Sequence, residues 1–170
     1  MQDDDEFVEF VLTKYRDTQL YPSEVEFVNS FTLDDIVPIL KKLFFEEEDD
    51  IMQSTWYRAL LSLNEFHKVA FILELFETPE YAEWQYALTQ DLSYSDDSRS
   101  VEKLCDLLAN HDDSNIRFVA AESLEKVGNA SSIAVLEYAI ANDKGKDYYD
   151  CLVADAARDA LKKVRERVKK

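Results

Sequence analysis

The sequence predicts an all-α protein, and two observations carry that prediction. The 170-residue chain contains only 2 Gly and 3 Pro, so it has few residues suited to the tight turns that connect strands. Its apolar residues recur every three to four positions, which is the period of a helix, and no segment sustains the alternation of a strand. Apolar residues make up 46% of the chain. We therefore expect a well-filled core and one folded domain over residues 1–170.

The first 31 residues predict N-terminal capping helices. Phe7 and Val11 share one helical face, and the acids at 3–6 would lie at the positive end of that helix. Pro22 ends the pattern. The sequence Ser23-Glu24-Val25-Glu26 then has the spacing of a capping box, which predicts a second, short helix to about residue 31.

Residues 32–92 predict helices of less regular pattern. A helix starts near Thr32, and Pro38 interrupts its apolar ladder, so we expect a kink or a delayed start. The acidic loop 46–50 joins this helix to the next, which carries Trp56.

The remainder of the chain continues the alternation of helices and short polar stretches. Residues 93–98 are the segment most like a linker. Clearer helical patterns occupy residues 99–170, where Gly128 stands in the position of a left-handed helix cap. The segment 111–113 is expected to be a polar loop and helix cap rather than a metal site.

The chain repeats itself. A shift of 37 positions superimposes the apolar residues of 113–127 on those of 150–164, and a shift of 61 does the same for 40–63 and 101–124. Two antiparallel helices cannot cover their apolar faces alone, so pairs of this kind stack on their neighbours. Three helix pairs therefore share one template.

The segment 113–128 closely resembles the second helix of a HEAT repeat. The family pattern has an acid, then Val-Arg, paired Ala, Leu and Gly, and Ile116-Arg117, Ala120-Ala121, Leu124 and Gly128 match it. The resemblance implies a right-handed α-α superhelix of about eight or nine helices in HEAT-like hairpins, related to Armadillo solenoids. It is clear over 99–170 and divergent over 32–92. Such folds generally imply protein binding.

Some of the proteins that this repeat pattern resembles are enzymes. Bilin lyase subunits, which act on tetrapyrrole-carrying proteins, share the repeat pattern and the paired Ala residues, so a bilin lyase-like role is an alternative to protein binding. HEAT-like DNA glycosylases require a basic groove, and the charge of this chain opposes one.

The formal net charge is −17, and its distribution indicates the partner. Residues 1–50 carry 15 acids and 4 bases, whereas residues 111–170 carry 11 of each. Such a surface repels phosphate backbones and attracts cations at rates that fall with salt. We therefore expect a basic protein partner and no nucleic acid. No apolar run approaches the about 18 residues of a membrane span, so no membrane partner is expected.

The compartment is predicted to be the cytoplasm. The N-terminus carries acids where a signal peptide would need bases. Cys105 and Cys151 lie in predicted helices and are expected to be small buried residues rather than catalytic thiols. The two histidines form no nucleophile or metal set with each other, and we predict no catalytic residue, cofactor or metal.

The leading hypothesis is a non-catalytic interaction module whose acidic surface binds a basic protein, with an inhibitor or immunity-type protein as one such case. Adjacent helical residues point about 100° apart, so one of Trp56 and Tyr57 should be exposed. Amphipathic aromatics are common anchors of protein interfaces. The oligomeric state is left undefined by the sequence. The candidate contact residues are Glu46, Glu47, Glu48, Asp49, Asp50, Trp56, Tyr57, Trp84 and Tyr149.

Overall fold

The computed structural model describes residues 33–169, with side chains from residue 36. The capping helices predicted over 1–31 lie outside these residues. The described part of the chain contains eight α-helices, two short 3₁₀ segments and no β-strand, which confirms the all-α, HEAT-like prediction.

The α-helices are α1 (Leu33–Glu46), α2 (Asp50–Leu61), α3 (Glu65–Phe76), α4 (Gln85–Leu92), α5 (Ser98–Asn110), α6 (Ser114–Val127), α7 (Ile133–Asn142) and α8 (Val153–Val168). The 3₁₀ segments are Pro79–Trp84, before α4, and Ala130–Ser132, before α7.

The chain divides into two compact units, with the boundary between His67 and Lys68, inside α3. The polar stretch 93–98 is not that boundary. Its Ser93 and Ser95 are buried, and the Lys68 ammonium donates to the carbonyl of Tyr94 at 3.1 Å. These contacts place the stretch firmly within the second unit.

In the first unit, α1 packs against α2. Phe44 of α1 and Leu60 of α2 are fully buried. Helix α1 begins at Leu33 and contains Pro38, so the delayed start that the sequence allowed is not observed.

The second unit contains the regular repeats. Helices α4, α6 and α8 pack side by side in one layer, and α5 and α7 pack on each other and on these helices. Ala120 and Leu124 of α6, and the repeat-related Ala157 and Leu161 of α8, are all buried. Each hairpin thus covers the apolar face of the next, as the repeated pattern predicts.

Gly128, which ends α6, corrects one prediction. Its φ of −57° and ψ of 147° are not left-handed, so backbone conformation does not demand glycine here. Close packing demands glycine instead, because a Cβ at this position would lie 2.5 Å from the carbonyl oxygen of Leu124 and 2.8 Å from Cγ2 of Val164. The helix end is packed directly against α8.

Candidate functional site

Two of the predicted contact residues form a hydrogen bond inside the first unit. The indole N–H of Trp56 donates to Glu47 at 3.2 Å, and only 2% of Trp56 is exposed. The prediction that Trp56 anchors a partner is therefore wrong, since its ring is part of the core between α1 and α2. Trp56 and Tyr57 differ in burial, but neither reaches the exposure that the sequence predicts for one of them. Tyr57 is half-buried, and its ring is tilted against that of Phe44 at 6.2 Å.

In the rest of the acidic loop 46–50, one residue has a structural role and the others are exposed. Asp49 caps α2, because its carboxylate accepts hydrogen bonds from the backbone N–H groups of Ile51 and Met52 at 3.0 and 2.9 Å. The carboxylates of Glu46, Glu48 and Asp50 are exposed. Their role in binding stays a prediction.

Trp84 and Tyr149 lie in the second unit. Trp84 is half-buried, and its ring meets that of Tyr81 edge to face at 5.4 Å. Tyr149, by contrast, is 86% exposed. Of the predicted aromatic anchors, Tyr149 is thus the most accessible.

A groove between α6 and α8 forms a cavity of about 430 Å³ in the second unit. Five carboxylates and one ammonium group surround an apolar part, which is Phe118, Leu152 and Ala156. We call this cavity the acidic groove. Its charged residues are Glu122, Glu125, Lys146, Asp150, Asp155 and Asp159.

Most of the negative charge in the acidic groove is uncompensated. Asp150 pairs with Lys146 at 2.6 Å, and Asp155 pairs with Arg158. Within residues 36–169, Glu122, Glu125 and Asp159 form no ion pair.

The pKa of one groove carboxyl responds to this field. Desolvation raises the pKa of Glu122, and the charges of Asp147 and Glu125 raise it further, while Lys126 opposes them. The nearby acids disfavour the charged form of Glu122, and an added cation would favour it.

The loop between α7 and α8 forms one wall of the groove and is held by hydrogen bonds. Asp147 accepts from the backbone N–H groups of Tyr149 and Cys151 at 2.9 and 2.8 Å. The hydroxyl of Ser114 donates to the carbonyl of Lys146 at 2.5 Å. Asp150 has a φ of 67°, a left-handed conformation that aspartate tolerates better than most residues.

A second cavity of about 320 Å³ adjoins the same loop. Tyr86 lines it from α4, Tyr148 from the loop, and His111 from the turn before α6. The pKa of Tyr86 is raised by desolvation and then by the charge of Glu122 and by Tyr149 and Asp147. Tyr86 therefore lies within the electrostatic field of the acidic groove.

Arg117 connects this loop to the turn before α6. Its guanidinium donates to both carboxylate oxygens of Asp143 at 2.7 and 3.1 Å, and to the carbonyls of His111 and Asp112, each at 2.8 Å. Burial would raise the pKa of Asp143, but the hydrogen bonds from Arg117 and Gly145 outweigh it, and the pKa lies below the ordinary value.

The prediction that 111–113 is a loop and helix cap agrees with the hydrogen bond that the N–H of Asn115 donates to Asp113, at 2.8 Å.

The acidic groove was missed by the sequence analysis because residues 111–170 are neutral in sum. The fold separates their charges. Four bases on α8 and at its C-cap line a different cavity, of about 360 Å³, together with Leu161 and Glu166. These bases are Arg158, Lys162, Arg165 and Lys169. Helical-wheel projections of α6 and α8, at 3.6 residues per turn, would have shown which of their acids share a face and so pointed to the groove.

The cysteines differ from each other. Cys105 is half-buried, and burial raises its pKa to about 11. Cys151 is exposed, so its predicted burial is wrong; the helix starts only at Val153 and leaves Cys151 in the loop. Desolvation and the charge of Asp147 raise its pKa as well.

We expect a thiol-reactive maleimide to modify Cys151 first. At pH 8 a thiol with a pKa near 11 is only about one part in a thousand thiolate, and half-burial slows the reaction of Cys105 further. Mass spectrometry of the timed reaction should show a fast phase that Cys151→Ser abolishes and Cys105→Ser leaves intact. Equal rates for the two thiols would contradict this arrangement.

The family model of HEAT repeats matches residues 69–162. The chain belongs to the HEAT-repeat family. The matched residues include α4 to α7 and every residue that lines the acidic groove. No curated protein and no solved structure matches the chain. HEAT repeats generally mediate protein–protein interaction.

No helix within residues 33–169 is long and apolar enough to cross a membrane. Across the part of the chain that the structure describes, no three His, Cys, Asp or Glu side chains come together as a possible metal site.

Proposed function

We propose that this HEAT-repeat protein binds a basic protein partner and that the acidic groove is its contact surface. The observation that carries the proposal is the set of uncompensated carboxylates, Glu122, Glu125 and Asp159, around a cavity between two adjacent repeat helices. A cationic side chain placed there would gain Coulomb energy and hydrogen bonds from groups that lack ion-pair partners. The apolar part of the cavity supplies area for a neighbouring apolar residue.

The proposal is tested with a fluorescein-labelled nine-residue peptide of alternating arginine and alanine. We expect binding that weakens steadily with added NaCl, because salt screens exposed charges. The same peptide with glutamate in place of arginine should not bind. Fluorescence anisotropy at several salt concentrations measures both. Salt-independent affinity would contradict electrostatic recognition.

A pair of charge-matched variants locates the contact. The triple variant E122Q/E125Q/D159N should lower the affinity about tenfold, as removal of three partly exposed charge contacts predicts. The control E46Q/E48Q/D50N removes the same number of charges from the loop between α1 and α2 and should change the affinity less than about twofold. The opposite result would assign binding to that loop, as the sequence analysis had predicted.

If the basic partner is an enzyme, this protein would be an inhibitor or an immunity-type protein. Loss of that enzyme's activity on mixing would identify this role. The bilin lyase-like alternative stays a prediction. A change in the visible absorption spectrum of a free bilin on mixing with the protein tests it.

A further inference from the structure

Three exposed tyrosines lie on or beside the loop between α7 and α8 without an explanation in the packing of the fold. Tyr86 is 42% exposed, Tyr148 80% and Tyr149 86%. Tyr148 and Tyr149 adjoin on the loop between α7 and α8, and Tyr86 shares the second cavity with Tyr148. Exposed aromatic groups of this size, gathered at one place, mark an interaction surface.

The loop that carries two of these rings is held in place. Its Asp147 binds two N–H groups of the same loop, and the backbone of Asp147 donates to the carbonyl of Cys151 at 3.0 Å. At the loop's two ends, the N–H of Val153 donates to the carbonyl of Gly145 at 3.0 Å. A ligand would therefore meet the two tyrosines with little loop entropy left to lose.

The tyrosines and the carboxylates belong to one surface. The loop contributes Lys146, Asp150 and Cys151 to the acidic groove and Tyr148 to the second cavity. Tyr86 feels the charge of Glu122, a residue of the acidic groove. The loop thus joins a cavity lined by tyrosines to a groove lined by carboxylates, and a segment that spans both would meet aromatic rings and carboxylates.

We propose that this surface selects arginine over lysine in the basic segment that it binds. The inference rests on the proposed function and names the chemistry of the partner. A guanidinium group stacks its planar face on a tyrosine ring while its edge donates paired hydrogen bonds to a carboxylate. A lysine ammonium is a compact charge with a strong hydration shell, and it gains less from an aromatic face than a guanidinium does. The occupant is thus an arginine-containing segment of a protein.

The test compares two nine-residue peptides, one alternating arginine with alanine and the other lysine with alanine. The wild-type protein should bind the arginine peptide about fivefold more tightly or better, as one or two cation–π contacts predict. The variant Y148L/Y149L keeps apolar bulk and every carboxylate but removes the two rings. We expect this variant to reduce the arginine-to-lysine affinity ratio to about half of the wild-type value or less.

The matched control is Tyr138→Leu. Tyr138 is also exposed, at 63%, but it lies on α7 and lines a different cavity. This control should leave the ratio unchanged, and circular dichroism checks that both variants are folded. An unchanged ratio in Y148L/Y149L would overturn the inference while the proposed function stands. If the wild-type protein binds neither peptide, the proposed function fails and the inference fails with it.

Discussion

Replacing Arg117 with methionine should lower the free energy of unfolding by about 3 kcal/mol. The guanidinium and Asp143 are 17% and 12% exposed, so the substitution leaves a largely buried carboxylate without its partner. Two backbone carbonyls, of His111 and Asp112, lose a donor as well. Urea unfolding followed by circular dichroism measures the change.

An exposed ion pair provides the control for that experiment. Arg165 pairs with Glu137 at the surface, and Arg165→Met should cost less than about 1 kcal/mol. The loss in Arg117→Met should also depend on pH. The pKa of Asp143 is lowered by folding, so its ion pair stabilises the protein above the unfolded pKa of about 4. That stability is lost as the pH falls through the folded pKa, and the difference between wild type and variant should then shrink to the contribution of the two carbonyl hydrogen bonds. If Arg117→Met and Arg165→Met lowered the free energy of unfolding equally, the contacts of Arg117 would contribute no more to stability than an exposed ion pair does.

Replacing Gly128 with alanine should destabilise the protein by about 2 kcal/mol. The φ of −57° suits alanine, and on conformational grounds alone the substitution would stabilise by about 0.4–1 kcal/mol. The added Cβ, however, would lie 2.5 Å from the carbonyl oxygen of Leu124 and 2.9 Å from Oγ of Ser132. Backbone on one side and α8 on the other leave it no space.

The sign of the stability change in Gly128→Ala shows whether backbone conformation or close packing decides the effect of the substitution. Thermal unfolding of Gly128→Ala should show a lower midpoint than wild type. The double variant G128A/V164A, which shortens the facing side chain, should show a smaller effect of the glycine substitution than the wild-type background does. A raised midpoint would mean that the contact relaxes at no cost.

The hairpins of the second unit could be predicted from the sequence because their signals are local. Ile116, Ala120 and Leu124 recur on one face of one helix, and burial follows from that periodicity alone. The orientation of Trp56 could not be predicted, because Ala59 and Leu60 follow it at helical spacing and Leu60 and Leu61 do the same for Tyr57. Only the packing of α2 against α1 decides which ring is covered.

The acidic groove lay beyond the sequence for a different reason. Glu122 and Asp159 are 37 positions apart in a segment with no net charge, and they share a cavity only because α6 and α8 are neighbours. Gly128 is a similar case, since its need for glycine comes from a helix that is distant in sequence. Charge sums and local motifs describe single segments, whereas both features depend on how two segments meet.

Along α8 and its C-cap, the charge changes from mostly acidic side chains at one cavity to mostly basic side chains at another. Asp155 and Asp159 line one cavity, and Lys162, Arg165 and Lys169 line another. A partner with an uneven charge distribution experiences a torque in such a field before the molecular surfaces touch. If the acidic groove binds a basic partner, as proposed, α8 would thus also favour productive orientations of the incoming molecule.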